Sequence, residues 1–417
     1  MLSKNIITYG CRLNIYESEV MQKHLEKANL TNYILFNSCS VTNEAKKKVI
    51  DDIRKFKKKY PNKKIIVTGC ASQIDSKTFL NMSEVDHVIG NQEKMEFETF
   101  LKISNEKITN KISDIMELKT IAPQFIESFE NHSRAFIQIQ NGCDHRCTFC
   151  TIPYGRGNSR SLPINNIIEQ IKMLNEKGFN EIILTGVDLT SYGPDLDEKV
   201  NLGKLVEAIL KNNKELKRLR LSSLDSIEID SLLFEILSSE KRVMPHFHLS
   251  MQSGDNMILK RMKRRHQRKD AIDFCNKIKL ARPEVIFGAD LIAGFPTETE
   301  GMFHNTLKII DECDLTLLHI FPFSPMEKAP ASKMPQVPKN IIKERAKILR
   351  EKGQLKMKDK FKDTVGKTLN VLTEKNSFGY SENYLKVKIS SKNSLKEGQI
   401  IPAQITGYNP NHLEATI

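Results

Sequence analysis

No apolar run in this 417-residue sequence approaches the roughly 20 residues that a bilayer-spanning helix needs, so no membrane span is expected. The start, Met1-Leu2-Ser3-Lys4-Asn5-Ile6-Ile7, has a short strand-like run with no cleavage-site pattern behind it. It reads as the first strand of a domain rather than a secretion signal, and the default compartment is the cytoplasm. Internal repeats and low-complexity tracts are missing too. Tryptophan is absent, and nothing about function follows from that. Acidic residues are in the minority, 51 against 64 basic ones, for a net charge of +13. Such an excess favours a polyanionic partner, because basic groups laid on phosphates release condensed counterions. Compositional drift toward lysine in an AT-rich genome would leave the same excess, so charge alone does not decide. The 39% hydrophobic and 28% charged content is that of a soluble globular protein, and the length points to two or three domains.

Residues 1–120 alternate short apolar runs with polar helical stretches. Strand-like runs occur at Ile6 to Tyr9, Tyr33 to Asn37, Lys64 to Gly69 and Val85 to Gly90, with a very basic helical stretch from Asn43 to Tyr60. This alternation predicts a small parallel α/β sheet. A connecting segment of weak periodicity follows. Residues 134–350 then offer six strand-like runs, starting at Ala135, Glu181, Arg218, His246, Val285 and Leu315, separated by helical stretches. Six such units suit a partial (β/α)6 barrel with its chemistry at the strand C-termini. Pro322 to Pro338 holds five prolines, which no helix tolerates. After a basic helix from Lys339 to Phe361, residues 358–417 read as a short all-β tail, a small barrel of the kind that binds oligonucleotides.

Eight cysteines stand at 11, 39, 70, 143, 147, 150, 275 and 313. In a reducing compartment, clustered cysteines are metal ligands or catalytic thiols rather than disulfides. Gly142-Cys143-Asp144-His145-Arg146-Cys147-Thr148-Phe149-Cys150 is a C-x3-C-x2-C loop. Three thiolates can hold three irons of a [4Fe–4S] cluster, leaving the fourth iron open, whereas a structural cluster takes four. The amino and carboxylate groups of S-adenosylmethionine can chelate that iron. The same spacing also suits one face of a helix, or a zinc site with His145 as a further ligand. Cys11, Cys39 and Cys70 each follow a strand-like run, and the ends of parallel strands converge. Each taken singly reads as a small core residue; together they suggest a second three-thiolate cluster. Cys275 and Cys313 sit alone in helical stretches and read as core.

The loop, with Phe149 before its third cysteine, resembles the signature of the radical S-adenosylmethionine superfamily. In that superfamily a reduced cluster cleaves S-adenosylmethionine to a radical that abstracts hydrogen from an unreactive C–H bond. Thr8-Tyr9-Gly10-Cys11-Arg12-Leu13-Asn14, Asn37-Ser38-Cys39-Ser40-Val41-Thr42, Gly69-Cys70-Ala71-Ser72-Gln73, Thr151-Ile152-Pro153-Tyr154-Gly155-Arg156-Gly157 and Leu249-Ser250-Met251-Gln252-Ser253-Gly254 are similar to the methylthiotransferase family. The tail resembles its RNA-binding TRAM domain. The resemblance implies an auxiliary cluster on Cys11, Cys39 and Cys70. It also implies conversion of C–H to C–S–CH3, with one S-adenosylmethionine as methyl donor and another as radical source, and with a separate electron donor and sulfur donor.

Family branches act on isopentenyl-adenosine in tRNA, on threonylcarbamoyl-adenosine in tRNA, or on an aspartate of a ribosomal protein. Cys11-Arg12-Leu13-Asn14-Ile15-Tyr16-Glu17-Ser18, Val41-Thr42-Asn43-Glu44-Ala45 and Thr185-Gly186-Val187-Asp188-Leu189 most resemble the threonylcarbamoyl-adenosine branch, which implies action at position 37 of tRNA. Ser38 stands where threonine is more usual, and Met326-Glu327-Lys328-Ala329-Pro330 replaces the usual Gly-Thr-bearing stretch. An iron–sulfur RNA-binding regulator without turnover is the alternative of another class.

The resemblance extends to the cofactor contacts. Gly288 and Gly294, in Gly288-Ala289-Asp290-Leu291-Ile292-Ala293-Gly294, look like the strand lying against the adenine. Thr185, Gly186 and Asp188 look like the motif that contacts the amino group. Arg156 and Arg160 could hold the carboxylate of S-adenosylmethionine or a tRNA phosphate. For RNA contact, the basic run Lys263, Arg264, Arg265 and Arg268 and the tail aromatics Phe378, Tyr380 and Tyr384 are the candidates.

Overall fold

Buried parallel strands need apolar residues on both faces, and the first sheet shows that pattern. In the computed structural model, which describes residues 5–108, 110–124, 126, 129, 133–391 and 393–417, five strands lie in chain order and pair in parallel. They are Ile6–Thr8, Tyr33–Ser38, Lys64–Gly69, His87–Ile89 and Asn110–Lys111. Ile34, Phe36, Ile65 and Val67 pack under the helix Asn43–Lys59 through Val49, Ile53 and Phe56. The alternate residues Tyr33, Leu35 and Ile66 pack against Met21 and Leu25 of Arg12–Lys27 and against Phe100 and Ile103 of Phe97–Ser104. Met1 to Lys4, part of the strand-like start, lie outside the described residues.

The six expected barrel strands are present: Ala135–Gln138, Glu181–Thr185, Arg218–Leu221, His246–Gln252, Ile286–Ala293 and Leu315–Pro322. They form two parallel three-stranded ladders joined by the bridges Leu219 to Val243 and Leu224 to Leu249, an open barrel. Phe247, Leu249, Phe287, Ala289 and Leu291 face outward, in one core with Ile278, Ile309, Ile310 and Leu349 of the surrounding helices. Strand alternation turns His246, His248, Gly288 and Asp290 to the concave side. The N-terminal domain adheres through Arg12–Lys27, whose Leu13, Tyr16 and Val20 share the core of the first barrel strand.

A continuous helix, Lys339–Lys362, leads to a closed five-stranded barrel made of Thr368–Thr373, Phe378–Ser381, Lys386–Ser390, Ile400–Asn409 and His412–Thr416. Its interior is filled by Val371, Val387, Ile389, Ala403, Ile405, Leu413 and Ala415. The small barrel docks on the N-terminal ends of the central strands. Arg218 donates to the Asn370 carbonyl, Arg220 to those of Ser381 and Glu382, and Arg134 pairs with Glu374 at 2.8 Å.

Glu181 is the common counter-charge beneath that interface, 2.9 Å from Arg220 and 3.5 Å from both Arg134 and Arg218. Burial alone would raise its carboxyl, but Arg220 and Arg134 pull it from 4.5 to about 2. A depressed carboxylate stabilises the fold above its unfolded value and loses that contribution as pH falls through its folded one. Docking is therefore expected to weaken between about pH 4.5 and 2, and Glu181→Gln to remove most of that dependence. Tyrosine emission, unmasked by any tryptophan, reports the change through Tyr380 and Tyr384 at the interface.

Candidate metal centres

Cys11, Cys39 and Cys70 follow three adjacent parallel strands, and the pairing of those strands brings their ends side by side. Gly10 and Gly69 turn the chain there with φ of +91° and +101°, a region that disfavours side chains. A Cβ on Gly10 would lie 2.8 Å from Cys39 Sγ. Burial first, then the neighbouring Cys70 and Cys11 thiols, push the Cys39 thiol up to about 11. Thiols forced together in this way form a donor set that a metal's positive charge would deprotonate. Cys11 is exposed while Cys39 and Cys70 are buried, so the group opens on one side. Gly10→Ala should displace Cys39 and lower the iron and sulfide content of the reconstituted protein by about half.

The segment Cys143 to Cys150 is not helical, which removes the reading of a cysteine stripe on a helix. Its form is set by Cys143 N–H donating to Gly157 O, Thr148 N–H to Met262 O and Cys150 N–H to Cys147 O. His145, the further ligand of the zinc alternative, is engaged by carboxylates. His145 lies 2.9 Å from Asp188 and 3.3 Å from Glu228. These carboxylates, Asp188 first, raise the imidazole to about 10. Cys150 is pushed up to about 12, by burial first and then by neighbours that include Cys147 and Cys70. The second triad is therefore close to the first. Helix Ile152–Arg156, directly after Cys150, packs on Cys70–Ile74, where a Cβ on Gly155 would meet Cys70 Cβ at 3.4 Å. Three thiols per site fit a cluster with one open iron; beside them, Asn14 Oδ1 lies 3.9 Å from Cys11 Sγ.

Several candidate residues have other work. Arg156 is buried in a bidentate pair with Glu17 at 2.8 and 3.1 Å and donates to Asn14 and Asn141. Glu17 also holds the buried Lys94 at 2.6 Å. Arg156 is therefore not open to the carboxylate of S-adenosylmethionine or to a phosphate; its charge acts on Cys70 and Cys11. Arg160, also buried, donates to the Arg156 carbonyl. In Thr185–Asp188, Val187 and Asp188 N–H both donate to Gln140 Oε1, and Gly186 allows the close approach of Gln140. Thr185 is buried, and the Asp188 carboxylate is held by His145, Ser191 and Thr190. Gly288 lies against the His248 ring and Gly294 against Ile342.

The basic run is not a single RNA-facing surface. Arg264 is mostly buried, with Nη1 3.7 Å from Cys147 Sγ and Nη2 bonded to Asp225 and Ser250 O. Arg268 caps the carbonyls of Gly254 and Asn305 and pairs with Glu312. Only Lys263 and Arg265 are exposed, and Arg265 pairs with Glu228. A basic run reads alike in sequence whether it meets phosphate or a thiolate, so the role of Arg264 carried no separate signal. Tyr384 stacks on His246 and Tyr380 at 4.9 Å and accepts from Arg12, which places both tyrosines in the docking interface. Phe378 lies instead with Lys386 at 4.4 Å and Lys388 at 5.9 Å, an aromatic and cationic face. The departure at Met326–Pro330 has a structural role. Lys328 donates to Ile74 O, and Asn43 bonds Ser324 and Pro325, tying the barrel to the N-terminal domain. Cys275 and Cys313 are buried.

The open barrel and its cysteine loop define a radical S-adenosylmethionine protein. The family model of the radical SAM superfamily matches residues 137–310, and that of uncharacterized protein family UPF0004 matches residues 4–90. The radical S-adenosylmethionine methyltransferase TsrM of Kitasatospora setae shares the fold, at a TM-score of 0.54 over 75% of this chain and 73% of that one, with 12% identity. Threonylcarbamoyladenosine tRNA methylthiotransferase MtaB of Rickettsia prowazekii is 51% identical over all of this chain and 98% of its own length. Its namesake in Aquifex aeolicus is 33% identical over 91% of this chain and 95% of its own. The tRNA-2-methylthio-N(6)-dimethylallyladenosine synthase of Staphylococcus haemolyticus is 32% identical over 89% and 75%. The chain belongs to the threonylcarbamoyladenosine tRNA methylthiotransferase family.

Proposed function

We propose that the protein transfers a methylthio group to C2 of N6-threonylcarbamoyladenosine at position 37 of tRNA. Cys143, Cys147 and Cys150 are assigned to a [4Fe–4S] cluster that binds S-adenosylmethionine, and Cys11, Cys39 and Cys70 to an auxiliary one. The observation that carries this reading is the approach of the two triads across Ile152–Arg156. Radical generation and sulfur insertion need separate sites, and both must reach one carbon. When bound, the clusters and S-adenosylmethionine supply the hydrogen-abstracting radical and the sulfur chemistry. An electron donor and a sulfur donor complete the reaction.

The chain's own residues position and shield. The Asp188–His145–Glu228 group anchors the cysteine loop to the barrel rim, and Arg264 places a cation beside Cys147. The units 1–120, 134–350 and 358–417 are assigned to auxiliary cluster, radical chemistry and RNA holding, the last with Phe378, Lys386 and Lys388 offering stacking and charge. Mass spectrometry of tRNA nucleosides from a deletion strain tests the assignment. Loss of 2-methylthio-N6-threonylcarbamoyladenosine alone is the expected result. Loss of the isopentenyl counterpart, or unchanged tRNA, overturns it.

A further inference from the structure

Three neighbouring strands place His248, Asp290 and His319 on the concave side of the barrel. His248 pairs in register with Gly288, and Asp290 with His319. His248 Nε2 and His319 Nδ1 both contact Asp290 Oδ1, at 2.9 and 3.1 Å. The three ligating atoms fall within 4.8 Å of one another. Gly288 makes the arrangement possible, since a Cβ there would lie 2.5 Å from His248 Nδ1. The His319 side chain is 64% exposed, so the group is open to solvent. Asp290 lies three residues before the end of Ile286–Ala293, roughly 10 Å below the barrel rim at the usual strand rise.

We infer that His248, Asp290 and His319 form a specificity subsite that binds the hydroxy-carboxylate arm of the substrate adenosine. The inference rests on the proposed function. The threonylcarbamoyl arm carries a carboxylate, a hydroxyl and ureido N–H groups. His319 suits the carboxylate, while Asp290 accepts from hydroxyl or N–H. An isopentenyl arm offers none of these groups, and a polar site left unpaired rejects such an analogue strongly.

The test uses reconstituted holoenzyme with tRNA carrying threonylcarbamoyl-adenosine. His319→Ala, at an exposed position, should lower kcat/KM by about tenfold or more, mainly through KM. Release of 5′-deoxyadenosine without tRNA should stay at the parent rate, and His319→Asn should restore part of the loss through its N–H donor. Unchanged kcat/KM in His319→Ala overturns the inference. An equal fall in tRNA-independent 5′-deoxyadenosine release also overturns it, assigning the group to S-adenosylmethionine. So does a non-iron metal that co-purifies and is lost in His319→Ala, which would make the group a cation site. Failure of the functional assignment itself appears in the parent enzyme, as no methylthiolation of this tRNA, and is thereby distinguished.

Discussion

Replacing Cys143, Cys147 and Cys150 together by alanine is expected to lower the iron of the anaerobically reconstituted protein from about eight to about four per chain. It should also abolish 5′-deoxyadenosine formation. The expectation follows from the separation of the two triads: Cys11, Cys39 and Cys70 are carried on the N-terminal sheet, the others on a loop after the first barrel strand. Each set closes within its own domain, so removing one leaves the other. Electron paramagnetic resonance of the reduced variant should retain one signal and lose the one that responds to S-adenosylmethionine. A parent with about four irons and a variant with none would leave a single cluster, and the assignment of Cys11, Cys39 and Cys70 would be withdrawn.

Glu17→Ala is expected to be the most destabilising single substitution considered. Glu17 is the shared anion of Arg156 and Lys94, and all three are buried. Removing it leaves two cations enclosed without a counter-charge, a change that costs about 3–5 kcal/mol where one buried pair is broken. The network joins Arg12–Lys27 to Ile152–Arg156 beside the first triad, so domain contact and cluster retention should fail together. A urea titration followed by circular dichroism, with iron measured in parallel, reads both. Glu17→Gln should be milder, because the amide oxygen still accepts from one cation. Parent-like stability in Glu17→Ala would contradict this account.

The architecture was largely legible in the sequence. All six central strands begin within a residue of their expected places, because buried parallel strands are nearly continuous apolar runs. Asn110–Lys111, Phe378–Ser381 and His412–Thr416 were not legible: they are short, and glycine, serine, asparagine and histidine give them little strand preference. At the sites, residue type was readable and orientation was not. Arg156, Arg264 and Tyr384 have the chemistry of nucleic-acid contacts, yet tertiary packing turns them onto Glu17, Cys147 and the domain interface. His248, Asp290 and His319 come from three strands that only the barrel aligns, so no spacing announces them.

The most direct test of the central claim is nucleoside mass spectrometry of tRNA bearing N6-threonylcarbamoyladenosine at position 37. That tRNA would first be incubated with the reconstituted protein, a reductant, a sulfide source and S-adenosylmethionine. Conversion to the 2-methylthio nucleoside with formation of 5′-deoxyadenosine is expected. Formation of 5′-deoxyadenosine with the tRNA unchanged, while tRNA bearing the isopentenyl nucleoside is converted, would contradict it.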